Sequence, residues 1–175
     1  GTVDTTICMG ASITIASGMS LAGDARDIVC TIGDSTFLHS GIQGLVNAVY
    51  NGANITVVIL DNRITAMTGH QPNPTTGLTA CGVSSPPVSL EAICRACGAT
   101  FVETVSPSDL TTFLNVLKKA KATMGVKVVI ARQPCVISEK RSKTNRGKYA
   151  VRQESCIGCK ACIKFGCPAI ELRGG

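Results

Sequence analysis

A chain of 175 residues that is 45% hydrophobic, with only 3% aromatic residues and no tryptophan, has room for one sizeable aliphatic core and a small appendage. No apolar run reaches the length of a membrane span, which excludes an integral helical membrane protein. The net charge of +6 is local rather than general, and its basic run has no aromatic platform or recognition motif beside it, so nucleic acid is not expected as a partner.

The first residues, Gly1-Thr2-Val3-Asp4, carry neither an initiator methionine nor a signal-peptide pattern. The chain is expected to begin inside a longer subunit, although a processed or trimmed chain would look the same. Asp4 to Gly10 reads as a loop, and Ala11 to about Leu21 as a weakly amphipathic helix of small residues. Gly10 stands at the start of that helix, where backbone can approach a ligand closely; simple helix capping explains it equally well.

Ile28-Val29-Cys30-Thr31-Ile32 is a buried strand that stops at Gly33-Asp34. Ser40 is expected to open a helix whose apolar residues Ile42, Leu45, Val46 and Val49 follow the i, i+3, i+4, i+7 rule. A second strand, Ile55 to Leu60, ends at Asp61-Asn62. In a parallel sheet both strand ends lie on the carboxyl edge, where open α/β folds bind ligands, so Asp34 and Asn62 are expected to meet. Mg²⁺ takes oxygen ligands in near-octahedral geometry, with one or two carboxylates and substrate phosphates. Asp34 can supply an anionic oxygen, Asn62 a neutral one, and the main-chain carbonyl of Ile64 a third. Free amides after Gly33, reaching the start of the helix at His39 and Ser40, suit a diphosphate.

From Asn62 to about Pro87 the chain is irregular and rich in proline and glycine. Loops this long in a compact domain are usually functional, and this one leaves the metal edge carrying Thr68-Gly69-His70-Gln71, which places it to cover the bound ligand. Ser89 is expected to cap a helix ending at Cys97-Gly98, and Thr100 to Val105 to form a strand. Ser106-Pro107-Ser108-Asp109 reads as the start of a helix that turns Leu110, Phe113, Leu114 and Leu117 inward and carries Lys118, Lys119 and Lys121 near its end. Val126 to Ala131 is the last strand. Strands alternating with helices give an α/β fold with a doubly wound parallel sheet.

Beyond it, Lys140, Arg141, Lys143, Arg146, Lys148 and Arg152 stand against a single acid, Glu139. This reads as a solvated basic linker, the functional alternative being a dock for an acidic electron carrier or for coenzyme A phosphates. Four of the ten cysteines follow within twelve residues: Cys156, Cys159, Cys162 and Cys167. Three cysteines at successive C-x₂-C intervals can wrap one face of a [4Fe–4S] cube, and the Cys-Pro at 167 resembles bacterial ferredoxins. Zinc sites prefer two pairs separated by a longer loop. In two-cluster proteins the fourth cysteine serves the other cluster, so either the chain continues past Gly175 with a second motif, which we expect, or Cys167 bends back locally. Cysteines crowded at ligand spacing indicate a reducing, cytoplasmic setting. Cys8, Cys30, Cys81, Cys94, Cys97 and Cys135 are expected to be small core residues. The organisation expected is a ligand-binding domain over 1–134, the linker over 135–152, and the start of a ferredoxin-like iron–sulfur segment over 153–175.

Gly33-Asp34-Ser35, about twenty-five intervening residues and then Asp61-Asn62 resemble the thiamine diphosphate motif, usually written Gly-Asp-Gly to Asn-Asn; Ser35 and Asp61 are the departures. With the terminal cysteines, with Asp4 to Ile13, with Gly33 to Gly41, with Ala66-Met67-Thr68-Gly69-His70-Gln71-Pro72 and with Ile93-Cys94-Arg95-Ala96-Cys97-Gly98, the whole chain resembles the 2-oxoacid:ferredoxin oxidoreductases, nearest in wording to large subunits of the indolepyruvate type. That resemblance implies a thiamine diphosphate-binding fold and the oxidative decarboxylation of an arylpyruvate to an aryl-acetyl-CoA, with electrons passed through iron–sulfur clusters to ferredoxin. It implies thiamine diphosphate, Mg²⁺ and a [4Fe–4S] cluster as cofactors. Asp34, Asn62 and Ile64 would take Mg²⁺. Gly33, Ser35 and Thr36 would lie along the diphosphate, with Gly10, Thr68 and Gly69 near the cofactor. His39 and His70 are the candidates on this chain for contact with cofactor or substrate. The activating glutamate is expected on a pyrimidine-binding domain absent from this sequence, and a small (beta) subunit, coenzyme A and ferredoxin are the implied partners. Two rivals remain: a non-oxidative thiamine decarboxylase or acetolactate-type synthase, and a non-catalytic electron carrier fused to a cofactor-free sheet.

Overall fold

The structure is a computed structural model that describes residues 3–137, 150–164 and 170. It divides into two units, 1–143 and 144–175. In the first, α1 (Ser12–Leu21), β1 (Val29–Gly33), α2 (Asp34–Thr36), a π-helical turn (Phe37–Gly41), α3 (Ile42–Tyr50) and β2 (Ile55–Asp61) are followed, after a long loop, by α4 (Leu90–Ala96), β3 (Phe101–Val105), α5 (Leu110–Ala122) and β4 (Val126–Arg132). The strands form one parallel sheet in the order β1-β2-β4-β3.

That order dictates the layers. A right-handed crossover puts its helix on a face set by the direction in which the chain steps across the sheet. The chain steps one way from β1 to β2 to β3 and back from β3 to β4. Accordingly α3 and α4, joined by α1, pack with Ile32, Val57, Ile59, Val128 and Ile130 on one face, and α5 packs with Val105 and Val129 on the other. The sheet is therefore doubly wound. Next to β1 the second face is open, with Val29 and Thr31 exposed.

Three local expectations are corrected. Helix begins at Asp34, directly after β1, and not at Ser40. The Ser40 hydroxyl caps nothing; it donates to the Thr36 carbonyl at 3.1 Å, one turn back. Gly41 is a packing residue, because a Cβ there would come within 2.8 Å of the Phe37 ring and 2.9 Å of Ile32. Val46, expected inward, is exposed, since the π turn inserts a residue and rotates the face that α3 buries to Gly44, Leu45 and Ala48. Gly41→Ala is expected to destabilise the fold: crowding a packed site costs about 1–3 kcal/mol, and alanine's helix advantage returns at most ~1 kcal/mol. A lowered midpoint in chemical denaturation checks this.

The cap of α5 is Asp109, whose carboxylate accepts from the Thr112 amide at 3.1 Å and hydroxyl at 2.6 Å, not Ser106. The Ser106 and Ser108 hydroxyls donate to the Gln133 side chain, and Ser106 Oγ accepts from the Ser108 amide at 3.3 Å, a bond within the turn that precedes the helix. The buried stripe then runs through Phe113, Val116, Leu117 and Ala120, leaving Leu110 and Leu114 exposed. Both stripes obey a 3.6-residue period, and the position of the sheet selects between them. The Ser89 cap stands, its hydroxyl accepting from the Ala92 amide.

Of the cysteines expected in the core, Cys30 and Cys94 are buried, Cys97 and Cys135 are half-buried, and Cys8 and Cys81 are exposed. Burial pushes the Cys30 and Cys94 thiols up to about 12, so both stay protonated and inert. Cys8 and Cys81 lie in irregular segments that no periodicity governs.

The second unit contains a 3₁₀ turn at Gln153–Ser155 and a short helix, α6 (Ala161–Lys164). The Ser138 to Tyr149 part of the basic run, and Cys167, lie outside the described residues. Among the described residues no helix is long and apolar enough to cross a membrane.

Candidate active site at the carboxyl edge of the sheet

Parallel pairing aligns Gly33 with Leu60, so Asp34 and Asp61 leave the sheet side by side. The Asp34 side chain is buried. Its Oδ1 accepts from the Ser35 amide at 2.7 Å and its Oδ2 from Asn73 Nδ2 at 3.0 Å. Burial raises its pKa and the nearby Asp61 carboxylate adds to the rise, against the hydrogen bonds from Asn73 and Ser35. Asp61 is matched by cations: Arg132 Nε at 2.6 Å and Arg63 Nε at 3.5 Å. Among the described residues no cationic side chain pairs with Asp34. A buried carboxylate with hydrogen bonds but no counter-charge is poised for a bound cation.

A groove of about 1070 Å³ opens beside it, lined by Asp34, Asn62 and Ile64 together with Gly33, Ser35 and Thr36. The Asn62 side-chain oxygen accepts from the Ile64 amide at 3.1 Å, which leaves one of its two lone pairs free. The turn at Asn62-Arg63-Ile64 is tight. Arg63 has φ of 61°, a left-handed conformation uncommon outside glycine, and its amide is held by Asp61 Oδ1 at 3.2 Å. A Cβ on Gly33 would meet nothing nearer than Thr36 Oγ1 at 4.0 Å and would project into open space, so packing within the chain does not require this glycine. The donor set is all oxygen, as Mg²⁺ requires.

The two departures from the motif have local uses. Ser35 accepts from the Thr65 hydroxyl at 2.9 Å, tying the tip of β1 to the loop after β2. Asp61 anchors both arginines. Gly10 also reaches the groove; its φ is 91° and a Cβ there would collide with the Ser40 hydroxyl, so its glycine is required by a close approach to the π turn.

A smaller groove of about 450 Å³ holds Thr68 opposite Ser35, Thr36 and His39. Gly69 and His70 line neither groove; the His70 amide bonds the Thr65 carbonyl instead. Of the two histidines, His39 is the one that the fold brings to the site. The loop reaches Asp34 through Asn73, which no sequence signal singled out: it lies 39 residues from its partner in a segment without period. An Asn-Pro pair amid turn residues was the available hint.

Behind Asp61, Arg132 Nη2 meets Glu91 at 2.8 Å, and Glu91 also accepts from Thr104 and Ser89. Partial burial acts to raise the Glu91 pKa, but its backbone hydrogen bond, Thr104, Arg132 and Ser89 outweigh it and hold the carboxyl at about 2. A carboxylate with depressed folded pKa contributes stability above its ordinary value near 4.5 that is lost as pH falls toward 2. Glu91→Gln is therefore expected to flatten the acid limb of the stability profile between these values, as read by thermal melts across pH.

In the second unit Cys156, Cys159 and Cys162 are exposed. They carry the thiolate donors an iron–sulfur cluster uses, but among the described residues no three histidine, cysteine or acidic side chains are gathered at metal-binding distance.

Residues 2–131 match the family "Thiamine pyrophosphate enzyme, C-terminal TPP binding domain". The chain is 47% identical over 175 residues to indolepyruvate oxidoreductase subunit IorA of Archaeoglobus fulgidus, covering 98% of this chain and 28% of that protein. To the subunit of the same name in Pyrococcus horikoshii it is 44% identical, covering 97% and 29%. It thus spans less than a third of these curated relatives. A solved 2-oxoglutarate:ferredoxin oxidoreductase from Magnetococcus marinus superposes with a TM-score of 0.66 over 72% of this chain and 45% of that one, at 22% identity, and shares the fold.

Proposed function

Because the chain belongs to the family of C-terminal TPP-binding domains of thiamine pyrophosphate enzymes, we propose that it holds Mg²⁺ and thiamine diphosphate at this edge, as part of a 2-oxoacid:ferredoxin oxidoreductase of the indolepyruvate type. The observation that carries the reading is Asp34: buried, without a cationic partner among the described residues, and sharing one groove with Asn62 and Ile64. Asp34, Asn62 and the Ile64 carbonyl would hold Mg²⁺. Gly33, Ser35 and Thr36 would lie along the diphosphate, with Gly10 and Thr68 beside the cofactor. When bound, thiamine diphosphate supplies the electron sink for loss of CO₂ from a 2-oxoacid.

The chain's own residues bind and orient. The Thr65–Ser35 bond closes the loop against the tip of β1, and His39 stands where it can face the substrate side. An activating carboxylate would come from another domain: the described glutamates of the first unit, Glu91 and Glu103, line neither groove and are engaged by Arg132 and Lys119. Cys156, Cys159 and Cys162, with Cys167, would hold a [4Fe–4S] cluster that passes electrons to ferredoxin, and coenzyme A would accept the acyl group. The relatives' names describe subunits, which supports assembly with a further subunit, and the small (beta) subunit is the one proposed. Free thiols at all nine described cysteines fit a cytoplasmic location.

The test assays the full natural protein with its partner subunit against a panel of aryl and aliphatic 2-oxoacids. Ferredoxin reduction, coenzyme A dependence and iron and sulfide content are the readouts. Arylpyruvate-driven reduction with bound iron is expected; CO₂ release without iron or ferredoxin reduction would transfer the chain to the non-oxidative decarboxylases.

A further inference from the structure

Two arms of the proposed metal site come from different strands: Asp34 from the end of β1, and Asn62 and Ile64 from the end of β2. One short piece of the long loop touches both. Asn73 Nδ2 donates to Asp34 Oδ2 at 3.0 Å, while Asn73 Oδ1 accepts from the Thr75 amide at 2.9 Å and the Thr75 hydroxyl at 2.7 Å. The Thr75 carbonyl in turn accepts from Arg63 Nη1 at 2.8 Å, and Arg63 is the left-handed residue between Asn62 and Ile64. Asn73 and Thr75 are 4% and 1% exposed, as buried as the sheet core although they stand in an irregular loop.

Buried polar groups persist when they are fully partnered. Here the amide of Asn73 is divided: its oxygen is spent on its own loop and its nitrogen on Asp34. That nitrogen occupies one oxygen of the carboxylate, and the Ser35 amide holds the other, so the plane of the carboxylate is fixed from both sides. Outer partners of this type orient a ligand before the metal arrives.

We propose that Asn73 is a positioning residue for the metal site, setting the orientation of Asp34 and, through Thr75 and Arg63, its spacing from the Asn62–Ile64 turn. This rests on the reading of Asp34 as a Mg²⁺ ligand. The loop is thereby tied to both arms of the metal site through residues 73–75.

The test uses the full natural protein, with Mn²⁺ in place of Mg²⁺ and thiamine diphosphate present, and reads free Mn²⁺ by electron paramagnetic resonance. Asn73→Ser retains an oxygen for the Thr75 amide but cannot reach Asp34. Thr75→Val removes only the hydroxyl bond on the loop side. Positioning predicts a loss of Mn²⁺ affinity of about 10-fold or more for Asn73→Ser and under about threefold for Thr75→Val. Equal losses in the two would reduce Asn73 to a loop-packing residue and overturn the inference. Should Asn73→Ser fail to fold, Asn73→Ala takes its place under the same criterion; failure of both while Thr75→Val folds and binds normally would equally mark the role as structural. If Asp34→Asn weakens Mn²⁺ binding and the Asn73 variant that folds binds as wild type, the role of Asn73 alone falls. If wild type shows no saturable Mn²⁺ binding, the reading of Asp34 falls and the inference with it.

Discussion

Replacing Asp34 by asparagine is expected to weaken cofactor binding far more than it changes the stability of the metal-free protein. Losing one partner of a buried, hydrogen-bonded charge pair costs about 2–5 kcal/mol of binding, or roughly 30- to 4,000-fold in affinity. Mg²⁺–thiamine diphosphate binding by the full natural protein should fall by that much and turnover with it. The metal-free protein should change little in stability at neutral pH, because two terms oppose each other. Burial and the neighbouring Asp61 raise the Asp34 pKa; a group whose folded pKa is raised contributes stability at acid pH that is lost as pH rises through it. Asparagine removes that penalty and can still accept from the Ser35 amide, but its NH₂ then faces Asn73 Nδ2, donor against donor, and a buried unsatisfied donor costs about 1–3 kcal/mol in the other direction. Isothermal titration and a thermal melt without metal give the two readings. A lower melting point together with unchanged cofactor affinity would deny Asp34 a ligand's role.

The second large effect is expected at Arg132. Its guanidinium joins Asp61, whose side chain is fully buried, to Glu91. Arg132→Met strands Asp61 with only Arg63 at 3.5 Å. Breaking a buried pair from one side costs about 3–5 kcal/mol, and because the Arg132 side chain is 27% exposed the lower end applies. Asp61→Asn in the same protein should return most of the loss, since the uncompensated charge is gone. The single variant should also weaken metal binding, because Asp61 fixes the left-handed turn at Arg63 that presents Asn62 and Ile64. Hydrogen exchange at β2 and β4, together with the double-variant cycle, measures both consequences.

The parts of the site that were legible lie where regular structure ends. A strand's length and a parallel pairing place Gly33-Asp34 beside Asp61-Asn62 with no knowledge of the loops. The helix boundary at residues 34–41 was not legible. Ser40 and Gly41 have the composition of a helix start, yet one serves a back-bond to Thr36 and the other a close approach to Phe37 and Ile32. At α5 two stripes of the same period competed. The inward one is 113, 116, 117 and 120 because β3 and β4 lie on that side, and periodicity carries no information about which side that is.

By itself the sequence determined the alternation of strands and helices, the parallel sheet and the identity of the acid and amide at its carboxyl edge, because these follow from local periodicity and from chain direction. Tertiary structure alone decided what surrounds them. Asn73 against Asp34, Arg132 against Asp61 and Thr65 against Ser35 join residues 39, 71 and 30 positions apart. Such polar contacts depend on how an aperiodic loop closes over the sheet, and the driving force is the satisfaction of buried charges and hydrogen bonds, which no window of sequence contains.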